Sequence, residues 1–72
     1  MEYTFSQNLK YYRKKRGITV KSLAKQLHVS PCAIWRWENN ERYPRLNTIY
    51  DIAKILEVEV FKLVGESKYI PD

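Results

Sequence analysis

The side chains with usable chemistry in this sequence are its cations, joined by one histidine and one cysteine. Cys32 has no second cysteine to pair with, and Cys32 and His28 together fall short of the four ligands of a structural zinc site within one chain. No serine or cysteine nucleophile has an evident basic partner, and His28 reads as a turn residue. Catalysis, a metal and a cofactor are therefore not expected. The cations are more informative: 13 Lys/Arg stand against 8 Asp/Glu, for a formal net charge of +5. Residues 1–42 hold nine Lys/Arg and three Glu, whereas residues 43–72 hold four Lys/Arg and five Asp/Glu. A basic half points to a polyanion as partner, and the competing reading is a solvated surface that aids solubility.

Something must hold those cations on one face, and 72 residues allow one domain that buries only about 60% of its unfolded surface. Met1 to Gln7 include an acid and polar groups where a signal peptide would begin with a basic stretch, and no run is apolar for the roughly 20 residues of a membrane span. A soluble, cytoplasmic protein with no membrane partner is the expectation.

The pattern along the chain is helical. Thr4-Phe5-Ser6-Gln7 fits a capping box, and Phe5, Leu9 and Tyr12 set an apolar stripe that predicts a first helix over about 5–16, closed by Gly17. Thr19 caps a second helix over about 20–27, with Val20, Leu23, Ala24 and Leu27 inward and Lys21 and Lys25 outward. Ser30-Pro31 starts a third over about 31–39, because proline has no amide to leave unsatisfied at the first helical position. Ala33, Ile34 and Trp37 are its core residues, and Asn39-Asn40 its end. Glu41 to Leu46 read as a polar loop, after which Asn47 caps a fourth helix with Asp51 in its first turn and Ile49, Ile52, Ala53 and Leu56 buried. A fifth helix covers about 60–64 and ends at Gly65, and residues 65–72 form a tail. The fold class is thus all-α, five helices in one domain over 5–64.

Two short helices joined by a tight turn are the geometry that places one helix in the major groove while the other crosses the backbone. The residues that fill this frame are Leu9 and Arg13, Gly17-Ile18-Thr19, Leu23-Ala24, Val29-Ser30, Ile34, Glu38-Asn39 and Pro44. In this ordered set the chain resembles the Cro/CI-type (XRE-like) helix-turn-helix family over about residues 5–64, and among its members the small Cro-like and modulator-of-repression proteins of temperate phages. The resemblance implies an ion pair between Arg13 and Glu38 that ties the first helix to the end of the third. It further implies a DNA-facing set in which Pro31, Cys32, Trp35 and Arg36 lie toward the bases and Lys21, Asn39, Arg42 and Arg45 toward phosphates. Of these only Arg36 is a strong reader, able to grip guanine O6 and N7.

The departures from the family pattern matter too. Val20 replaces a glutamine that opens the second helix, and His28, Asn40 and Glu57 stand where glycine is common. Pro31 has no donor and Cys32 a poor one, while Trp35 replaces a polar residue. Two partners follow: double-stranded DNA, bound by a repressor through the third helix, or a CI-type repressor protein, bound through the same surface by an antirepressor. Non-specific nucleic-acid binding and an antitoxin role are compatible with the same fold. A homodimer or heterodimer needs an apolar patch, for which Ile55, Val60 and Phe61 are candidates unless they complete the core.

Overall fold

The computed structural model describes residues 5–64, so Thr4 of the expected capping box, Gly65 and the tail lie outside the described residues. Five helices follow one another: α1 (Phe5–Lys15), α2 (Val20–Leu27), α3 (Pro31–Glu38), α4 (Leu46–Leu56) and α5 (Val60–Leu63). Among the described residues no helix is long and apolar enough to cross a membrane.

Local chemistry starts these helices. The Thr19 hydroxyl accepts from the Ser22 amide at 3.0 Å, and the Ser30 hydroxyl from the Ala33 amide at 3.2 Å, so each cap satisfies a donor with no partner inside its helix. The start of α4 departs from the expected one. Its N-cap is Arg45, with no side-chain cap hydrogen bond, and Asn47 is already inside the helix. Asn47 has the side chain of a cap, but the chain leaves the buried Pro44 in a path that turns helical at Leu46. Asp51 consequently falls beyond the first turn, which holds no acid.

The first four helices stop in one way. A residue in the left-handed region follows each: Gly17 at φ 71°, His28 at 60°, Asn40 at 62° and Glu57 at 58°. After α2 the Val29 amide donates to the Ala24 carbonyl at 3.0 Å and His28 to Lys25 at 3.2 Å. The same pair of reversed bonds closes α1 (Ile18 to Arg13, Gly17 to Lys14), α3 (Glu41 to Arg36, Asn40 to Trp37) and α4 (Val58 to Ala53, Glu57 to Lys54). Three of these four sites carry a side chain where glycine would be free of steric cost.

The helices pack α1 on α3 and α5, α2 on α3 and α4, and α4 on α5. Leu9, Leu23, Ile34, Ile52, Leu56 and Leu63 are fully buried at the centre, with Phe5, Ala24, Trp37, Ile49 and Ala53 around them. Ala33 is only partly buried. Asn8 lies in the α1 stripe between Phe5 and Leu9 and donates its Nδ2 to the Leu63 carbonyl at 3.0 Å, which satisfies an acceptor at the end of α5.

Arg13 makes the one ion pair between α1 and α3 among the described residues. Its Nε sits 2.5 Å from Glu38 Oε2, its Nη2 donates to Glu38 Oε1 at 3.2 Å, and its Nη1 donates to the Ile18 carbonyl at 2.9 Å. The two side chains are 11% and 7% exposed. Removing one partner strands the other charge out of water, at about 3 kcal/mol or somewhat more. Arg13→Ala and Glu38→Ala are each expected to lower the urea midpoint strongly, with the double variant costing less than the sum of the two. Equal and additive small effects would show that the pair does not hold the fold. His28→Gly keeps both closing bonds and removes the left-handed penalty, and should raise stability by about 1 kcal/mol, read as a melting temperature higher by roughly 5 °C.

Candidate nucleic-acid interface

The rotation of α3 is set by what it buries. Ile34 and Trp37 face the core, which leaves Pro31, Cys32, Trp35 and Arg36 on the opposite, exposed face. The two tryptophans divide sharply: Trp37 is 8% exposed and Trp35 is 64% exposed. Asn39 follows at the helix end, where its Nδ2 donates to the Trp35 carbonyl at 2.8 Å and holds the side chain in place. Lys21, Arg42 and Arg45 are exposed as well.

All of these exposed residues except Asn39 line one of two depressions. One lies between the starts of α2 and α3, with Val20, Lys21, Pro31, Cys32 and Trp35 as its almost wholly apolar walls. The other lies between α3 and the start of α4, where Arg36, Arg42, Arg45 and Thr48 rise over Trp37 and Pro44. Three guanidinium groups at the uncapped start of an 11-residue helix combine fixed positive charge with free backbone amides, the two features that hold an anion. Arg36 lines the second depression, and its sequence neighbour Trp35 lines the first. Glu38 leaves this surface to meet Arg13 in the interior.

Thr48 was not among the expected contacts. Its signal is its place in the first turn of α4 beside Arg45, visible only once that helix is known to begin at Leu46. Val20, expected in the core, is half-buried and divides its side chain between the core and the apolar depression. On the far side, Ile55 and Val60 pack against the core while Phe61 remains 44% exposed, so the expected patch is reduced to one large ring.

The HTH_3 helix-turn-helix family matches residues 9–63, the span that holds α2, α3 and the Arg13–Glu38 tie. The chain belongs to this family. Among curated relatives it is 32% identical over 66 residues to the HTH-type transcriptional activator BcrR of Enterococcus faecalis, covering 92% of this chain and 32% of BcrR. The chain thus spans about a third of that relative's length. Among solved structures, the P22 c2 repressor in complex with a synthetic operator superposes with a TM-score of 0.80 at 27% identity, covering 86% of this chain and 94% of that one. The fold also occurs inside an enzyme. Hydroxypropylphosphonic acid epoxidase from S. wedmorenis matches with a TM-score of 0.78 at 28% identity, over 83% of this chain and 32% of the epoxidase.

Proposed function

We propose that this chain is a DNA-binding transcriptional regulator, without catalytic activity of its own, that sets α3 into the major groove and holds the flanking phosphates with Lys21, Arg42 and Arg45. One observation carries the reading: the exposed face of α3 runs directly into the arginine-lined groove at the start of α4. A helix presented to base edges and an anion site beside it are the two halves of duplex recognition, one specifying and the other positioning. The DNA-bound P22 repressor and the transcriptional activator BcrR support the same use of the fold. Arg36 is the hydrogen-bonding base reader, and the protein acts in the cytoplasm of a bacterial cell.

Binding to a CI-type repressor protein is the competing use of the same face. The cationic groove favours DNA, because every duplex offers phosphates to its three arginines, whereas a protein partner would have to supply acids.

The deciding measurement is fluorescence anisotropy at near-physiological salt, with duplex from the chain's own promoter region and with scrambled duplex, each with and without a CI-type repressor. Sequence-dependent binding by the chain alone is expected. No binding alone, joined to a change in the repressor's affinity, would transfer the function to protein association. Lys21→Ala, Arg42→Ala and Arg45→Ala should weaken every duplex to a similar degree and each reduce the salt slope by about 1. Arg36→Ala should narrow the gap between cognate and scrambled duplex by about tenfold, the discrimination of one good bidentate contact.

A further inference from the structure

The apolar depression at the start of α3 is not explained by phosphate contact or by Arg36. Its walls are Val20, Pro31, Cys32 and the exposed ring of Trp35, with Lys21 at its edge. Pro31 contributes no amide donor, the Cys32 thiol is a weak one, and Val20 has none. An amide, carbonyl or ring nitrogen of a base edge buried there would lose water and gain no partner. In the major groove thymine alone among the four bases offers an apolar group, its 5-methyl. Lys21 gives the depression a cationic edge, and α3 carries Arg36 into the neighbouring arginine-lined groove, a charge pattern that complements a polyanion.

We propose that Val20, Pro31, Cys32 and Trp35 form a thymine-reading surface, which selects 5-methyl groups by burying them against the indole. This rests on the reading of α3 as a major-groove helix and adds what that helix selects: duplex DNA with thymine at defined positions beside the Arg36 contact. Trp35 is the main specificity-determining residue of the surface. It faces outward from a helix whose interior is made by Ile34 and Trp37, so its substitution leaves the core untouched.

The test uses the full 72-residue chain and a duplex recovered by repeated binding selection from a randomised library. That duplex is resynthesised with deoxyuridine in place of thymidine at one position at a time, which removes the methyl and keeps every hydrogen-bonding group. One or two positions are expected to lose affinity by about fourfold each, the effect of one buried methylene-sized group. In Trp35→Ala, with its melting curve unchanged, the same replacements should matter by less than twofold. Tolerance of deoxyuridine at every position would overturn the proposal, as would undiminished sensitivity in Trp35→Ala. In both of those cases selective binding survives, so only the thymine reading fails. Selection that returns no preferred duplex would remove the DNA reading together with it, and loss of binding to a CI-type repressor in Trp35→Ala would then assign the depression to a protein.

Discussion

The guanidinium of Arg13 is the constraint on which the rest of the structure depends. It reaches from α1 to the loop carbonyl of Ile18 and to the carboxylate of Glu38, so one side chain joins α1, the loop that follows it and the end of α3. Glu38 is the last residue of α3, where the negative end of the helix dipole disfavours an acid. Arg13 offsets that unfavourable placement, and the desolvation of both groups is tolerable because their hydrogen bonds are made to each other and to the backbone. With the end of α3 pinned and Ile34 and Trp37 in the core, the outward direction of Trp35 and Arg36 has no freedom left.

Helices as short as α2 and α3, eight residues each, are not stable alone in water. Their ends are instead defined from outside: a hydroxyl cap at each start, a left-handed residue and two reversed bonds at each stop. The left-handed closure also turns the chain sharply enough to bring the next helix against the last one. Placing His28, Asn40 and Glu57 at those turns sacrifices some stability relative to glycine, yet the closing bonds form at all three. Turn geometry in this fold is therefore enforced by packing, with glycine a convenience and not a requirement.

The outer surface joins two kinds of chemistry on one helix. Toward α4 it is cationic and suits phosphate; toward α2 it is apolar and has almost nothing to donate. Arg36 lies at the border. On the proposed reading, such a surface would discriminate less by the number of hydrogen bonds than by the penalty for burying the wrong base edge against Trp35, Pro31 and Cys32. The loop after α3 contributes Arg42 and Arg45 without any regular structure of its own, held by the buried Pro44 and by Tyr43, whose ring lies 5.1 Å from that of Phe5.

By itself the sequence determined the local features: the extent of α2, the caps Thr19 and Ser30, the proline that opens α3, the left-handed stop at Gly17, and the periodic residues of the core. These depend on interactions within a few residues, which spacing and residue type specify. Tertiary structure decided the rest. The N-cap of α4 is Arg45 and not the expected Asn47, because the chain's path from the buried Pro44, and not the capping tendency of an asparagine, sets its entry into the helix. Asn8 lies on the buried face of α1 because a carbonyl 55 residues further on needs a donor. Arg36, Arg42, Arg45 and Thr48 line one cationic depression, and Val20 joins Trp35, only when α2, α3 and α4 are packed, since a surface made by separate segments has no signature in any one of them.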